Sequence, residues 1–135
     1  MKIIIHSDGG ARGNPGPAGI GVLLTNEQGV SVAEISNFIG RATNNQAEYQ
    51  ALLAGLEKAK SLGAEEVVCR LDSELVVKQL NHEYKVKNKD LAPLFLKVHN
   101  LITSFKKISF QHVPREMNKE ADKLANEAMD RGKWF

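Results

Sequence analysis

Residues 44–72 read NNQAEYQALLAGLEKAKSLGAEEVVCRLD, and a change of period inside them decides the fold. Ala47, Ala51, Leu52, Ala54, Leu56 and Ala59 recur at helical spacing as far as Leu62-Gly63. Thr43 or Asn44 stands where a helix cap belongs. From Glu65 to Leu71 the pattern becomes that of a strand with VVCRL at its heart, and Asp72 follows it. A helix that feeds a strand in this way favours parallel neighbours in a sheet.

Toward the N-terminus, Ile3-Ile4-Ile5 opens a strand that runs to about Asp8. Residues 9–19, GGARGNPGPAG, are rich in glycine and proline and predict a loop. Ile20 to Thr25 and Val30 to Ile39 read as two further strands around the turn Asn26-Glu27-Gln28-Gly29, so the chain opens with an antiparallel meander. Gly40 to Asn44 breaks the pattern before the helix. Toward the C-terminus, Ser73 can cap a short helix over Glu74 to Leu80. A basic connection, NHEYKVKNK at 81–89, leads to a helix from Asp90 to Phe105, with Pro93 in its first turn. Ile108 to Val113 is a last strand, and Asn118 caps a last helix to about Arg131. The expected architecture is α/β: a five-stranded mixed sheet, its first three strands an antiparallel meander, flanked by about four helices.

Composition bounds the function. The 135 residues fit one domain, and 42% hydrophobic with 25% charged residues is the balance of a globular protein. No run approaches the roughly 20 apolar residues of a membrane span, and the apolar N-terminus is too short for a secretory signal. The lone Cys69 excludes an internal disulfide and a multi-cysteine zinc site, and reads as a small buried hydrophobe. A cytoplasmic monomer is expected. The formal net charge of +2 does not by itself point to nucleic acid.

The acids say more. Asp8 and Asp72 end strands that should be parallel neighbours, which puts both carboxylates at the carboxyl edge of the sheet, where open α/β sheets bind ligands. Either is also an ordinary turn residue. Glu48 shares its helix face with Ala51, Leu52 and Gly55, a small apolar face that should look at the sheet. A buried acid needs a partner or a cation; the plainer alternative is complementarity to the helix dipole. Asp122 borders the stripe of Ala121, Leu124, Ala125 and Ala128 in the first turns of the last helix, with the same alternative. Carboxylates brought close together repel, and oxygen-only ligands suit Mg²⁺ or Mn²⁺ rather than zinc.

These residues fall in four motifs: IHSDGGARGNPGP at 5–17, TNNQAE at 43–48, LDS at 71–73 and HVPREMNKEAD at 112–122. In this order and spacing, over nearly the whole chain, they resemble the type 1 ribonucleases H. The resemblance implies a ribonuclease H-like fold, with residues 1–135 as a single catalytic domain. It implies a metal-dependent endoribonuclease that hydrolyses the RNA strand of RNA–DNA hybrids, leaving 5′-phosphate and 3′-hydroxyl ends. Asp8, Glu48, Asp72 and Asp122 would be its catalytic and metal-binding acids, holding two Mg²⁺ ions, with Mn²⁺ as an alternative. Glu48 would also accept a hydrogen bond from a ribose 2′-hydroxyl, the group that separates RNA from DNA. Substrate contacts are implied at Gly9, Arg12, Asn14, Thr43, Asn44, Asn45, Ser73, Glu74, Lys85, Lys87, Arg115 and Asn118. The glycine-rich loop is not a P-loop, because no Gly-Lys-Ser/Thr follows it.

The chain departs from the fuller family pattern. Many members carry a histidine in the loop before the last helix; here Pro114 to Met117 holds none, and His112 reads as a strand residue. Residues 81–89 are too short for the family's basic protrusion, and the early first strand leaves no room for a hybrid-binding domain ahead of it. The resemblance is therefore to compact members. His6, His82 and His99 read as structural or surface residues. Trp134-Phe135 could pack back or join a second copy. Two other readings stand beside the hybrid nuclease: a nucleic-acid-binding module with weak catalysis, and a related nuclease that also cuts double-stranded RNA.

Overall fold

The computed structural model describes residues 1–132; the Trp134-Phe135 tail lies outside them. The elements are β1 (Lys2–Ala11), β2 (Gly16–Thr25), β3 (Ser31–Ala42), α1 (Asn44–Ser61), β4 (Glu66–Leu71), α2 (Glu74–Leu80), α3 (Ala92–Ile102), β5 (Lys107–His112) and α4 (Lys119–Gly132), with a short 3-10 helix at Arg115–Met117. The sheet has five strands in the order β3-β2-β1-β4-β5. β1 to β3 are antiparallel, while β1, β4 and β5 are parallel. The expected fold class and the parallel pairing of β1 with β4 both hold.

The strand ends do not fall where expected. The predicted loop over 9–19 shrinks to residues 12–15, because β1 continues to Ala11 and β2 begins at Gly16. Ala11 pairs with Ala18 and Gly10 with Gly19. β3 likewise runs past Ile39 to Ala42, through a register shift opposite Ala18/Gly19 and a Gly40 with φ +78°. Glycine normally weakens a strand, but a position where another backbone approaches closely requires it. At Gly19 and Gly21 that backbone is α4: an added Cβ would meet the Ala125 and Ala121 carbonyls. α3 is shorter than expected at both ends.

Each face is covered for a sequence reason. α1 caps with Thr43, whose hydroxyl accepts from the Gln46 N–H while Gln46 returns a bond to the Thr43 N–H. Its buried stripe, including Leu52 and Leu56, packs with Ile5, Val22 and Leu24 from the sheet and Val76, Leu80 and Val98 from α2 and α3. Complete burial of such a leucine contributes roughly 1.5–3 kcal/mol. The Tyr49 hydroxyl donates to Gln79, joining α1 to α2. α4 covers the other face with Ala121, Ala125, Ala128 and Met129. Cys69 is buried in the first of these layers, and burial pushes its thiol up. No helix among the described residues is long and apolar enough to cross a membrane.

Candidate active site

Four acids come from four elements, each placed by a different device. Asp8 lies in β1 opposite Gly21. Asp72 follows β4, whose ladder with β1 pairs Ser7 with Leu71. The two carboxylates are thus set side by side by backbone register. Glu48 arrives from α1 just past its first turn, and its Oε1 accepts the Gly9 N–H at 3.3 Å. A Cβ at residue 9 would run into the Ala47 carbonyl, so only glycine lets α1 come this near β1. Asp122 comes from the first turn of α4, which the absence of a side chain at Gly21 admits against the sheet.

Ligand oxygens of Asp8, Glu48 and Asp72 lie within 4.8 Å of one another. Asp122 stands outside that trio and pairs with Arg115 at 3.3 Å. All four acids line one cleft of about 510 Å³. Asp8 and Glu48 are both 8% exposed. Burial first, then Asp8, holds Glu48 well above the usual carboxylate range. Burial, with Asp72 and Asp122 adding, pushes Asp8 up to about 7, against a hydrogen bond with Glu48 that pulls it down. Burial also raises Asp72, with Arg115 and His112 opposing. Two such neighbours resist simultaneous ionisation unless a cation joins them.

The donor set fits a hard divalent ion. All donors are oxygens, and Glu48 Oε2 is buried with no hydrogen-bond partner. An orphaned buried carboxylate oxygen is costly unless something positive meets it.

The structure sorts the remaining expected residues. Gly9, Arg12, Asn44, Asn45, Ser73 and Arg115 share the cleft wall with the acids. Asn14 stands just outside it, its Oδ1 accepting the Asn44 N–H, while Asn44 Oδ1 accepts the Ala11 N–H at 2.8 Å. Arg12 is committed to α4 through Asp130 at 2.6 Å. Thr43 is occupied as the α1 cap and Glu74 pairs with Lys78. Lys85 lines a separate groove with Tyr84 and Phe95, and neither it nor Lys87 borders the acid cleft. Asn118 is 1% exposed and donates Nδ2 to the Ser7 carbonyl at 2.8 Å. It is neither in the cleft wall nor a side-chain cap: its Oδ1 has no partner. His112 ends β5 as expected, opposite Leu71. His82 and His99 cluster with Phe95 at 6.4 and 6.0 Å between ring centroids.

Sequence reading missed Asn126 and Met129, which also line the cleft. They lie four and seven residues beyond Asp122 in α4, so the helical period from a suspected site residue was the available signal.

A family model described as reverse transcriptase-like matches residues 6–128. Ribonuclease HI of Halobacterium salinarum is 46% identical over 129 residues, covering 96% of this chain. The chain belongs to the ribonuclease H family. The crystal structure of that archaeon's enzyme superposes with a TM-score of 0.94, covering 97% of this chain and 99% of the other. A bifunctional protein of Mycobacterium tuberculosis is 50% identical over 131 residues, 96% of this chain. The chain spans 36% of the length of that relative and 65% of the Halobacterium protein. A ribonuclease H isolated from compost by a metagenomic approach, solved with an RNA/DNA hybrid, is 47% identical with a TM-score of 0.92, covering 96% and 98% of the two chains.

Proposed function

We propose that this chain is an endonuclease that hydrolyses the RNA strand of RNA–DNA hybrids, leaving 5′-phosphate and 3′-hydroxyl ends. Residues 1–135 act in this reading as one catalytic domain, a monomer of the cytoplasm. The observation that carries it is the carboxylate trio, Asp8 and Glu48 buried and Asp72 half-buried, with the unpartnered Glu48 Oε2, in the wall of a cleft of about 510 Å³. The hybrid-bound ribonuclease H at 47% identity supports the substrate class.

Asp8, Glu48, Asp72 and Asp122 would hold the divalent ions, two of them, with Mg²⁺ preferred and Mn²⁺ accepted. Such ions supply Lewis acidity at the scissile phosphate, activation of water and charge neutralisation at the leaving oxygen. Asp8 is central, because Glu48, Asp72 and Asp122 all act on its carboxyl. The Gly9 N–H fixes Glu48 through Oε1 and leaves Oε2 to face an ion or a ribose 2′-hydroxyl. Asn44 and Asn14 spend their side-chain oxygens on backbone N–H groups. Their amide N–H groups remain as donors for the RNA side of the minor groove, beside Asn45 and Ser73. Arg115, exposed and paired with Asp122, brings a cation to the phosphate side of the cleft.

Digestion of end-labelled hybrid, double-stranded RNA and double-stranded DNA side by side, with Mg²⁺ and with chelator, tests this. Cleavage of the RNA strand of the hybrid in Mg²⁺ alone is expected. Faster cutting of double-stranded RNA, or tight hybrid binding with no scission in Mg²⁺ or Mn²⁺, would replace the reading with one of its alternatives.

A further inference from the structure

Of the four acids, Asp122 has the least secure foundation. Asp8 and Asp72 directly follow the last pair, Ser7 with Leu71, of a hydrogen-bonded ladder, and Glu48 is held by the Gly9 N–H. Asp122 sits on a helix that follows the exposed Arg115–Met117 turn. Its backbone N–H donates to the Asn118 carbonyl at 3.1 Å, one helical turn back. The Asn118 side chain in turn reaches the Ser7 carbonyl at 2.8 Å, in the peptide that joins Ser7 to Asp8. One residue therefore links the peptide beside Asp8 to the turn that carries Asp122.

The chemistry of Asn118 shows what this link costs. Asparagine at the start of a helix is among the best caps, because its oxygen can accept the free N–H groups of the first turn. Here the oxygen is buried and accepts nothing. The amide is instead spent on a carbonyl 111 residues away in sequence, at 1% exposure. Leaving a buried acceptor unmade is unfavourable, so the tie to β1 outweighs the cap. A hydrogen-bond donor is required at this atom; a carboxylate of the same shape would set an oxygen against an oxygen.

We propose that Asn118 is a positioning residue that holds Asp122 at its working distance from Asp8 through the Ser7 carbonyl, acting without contact to substrate. This rests on reading Asp122 as a metal ligand. The test is a double-mutant cycle of Asn118→Ser and Asp122→Asn, read by calorimetric Mn²⁺ binding at a temperature where melting curves show each variant folded. Asn118→Ser alone should weaken Mn²⁺ binding about tenfold, the usual effect of removing a group that orients a ligand. In the Asp122→Asn background the same change should add almost nothing, because the residue it positions is gone. On hybrid, kcat should fall while KM stays within about twofold, the sign of an interaction outside ground-state binding. Should the serine variant not fold, Asn118→Ala, which removes the donor without burying a charge, takes its place in the cycle. Equal weakening in both backgrounds, or a loss confined to KM, overturns the proposal. If Asp122→Asn binds Mn²⁺ as well as the unaltered protein, the ligand reading of Asp122 falls, and this proposal with it; if only the coupling is missing, the ligand reading stands.

Discussion

Asp8 and Glu48 give the metal-free protein a definite response to pH. Both are held above their ordinary carboxylate range, Asp8 near 7. Raised values mean the folded state binds more protons than the unfolded chain between about pH 4 and pH 7, so stability falls as pH rises through that window. Asp8→Asn removes one of the two charges. In chelator at pH 8 it should raise the melting temperature by roughly 5 °C, and below about pH 3, where both states are largely protonated, it should change little. Mg²⁺ should stabilise the unaltered protein at pH 8 and the variant much less. A melting series across pH, with and without Mg²⁺, checks both. Gly9 is the second sensitive position. Gly9→Ala places a methyl group against the Ala47 carbonyl, so urea denaturation should show a loss of about 1–3 kcal/mol, and Mg²⁺-dependent activity should fall as Glu48 is displaced.

At the scale of elements, α1 and α4 deliver acids to a sheet that fixes the other two. Thr43→Ala breaks the capping box of α1 and should cost about 1 kcal/mol in equilibrium unfolding. Gly21→Ala should cost more, since its Cβ would meet the α4 backbone at Ala121 and push Asp122 away from Asp8. The sequence made α1 and β4 plain, because a 3.6-residue period gives way to a β-branched run inside residues 44–72. It also exposed Glu48, an acid on a small apolar face. It hid the ends of β1, β2 and β3. Gly16 and Gly19 look like loop residues one at a time; the close approach of the α4 backbone explains the place of Gly19 in a strand, and that of the Arg12 carbonyl the place of Gly16. Asn118 was misleading for a similar reason. Its local pattern is that of a helix cap, whereas its actual partner, Ser7, is far away in sequence.

For the whole molecule, a formal charge of +2 leaves hybrid binding to the local arrangement of cations. Lys85 and Lys87 stand apart from the acid cleft, and Lys85 lines a groove with Tyr84 and Phe95. If a hybrid crosses both regions, the Lys85→Ser/Lys87→Ser variant should weaken binding and reduce the slope of log affinity against log salt by about one per lysine. Fluorescence anisotropy over a salt series measures it. An unchanged slope would confine the substrate to the acid cleft. In the proposed function the carboxylate cluster cuts the RNA strand. Its most direct test is the Mg²⁺-dependent cleavage rate of an RNA–DNA hybrid by the unaltered protein and by Asp8→Asn, each shown folded. RNA-strand cleavage is expected of the first and a rate about a hundred- to a thousandfold lower of the second, the scale of losing an essential electrostatic group. Undiminished cleavage by Asp8→Asn, or an intact RNA strand with the unaltered protein, would contradict it.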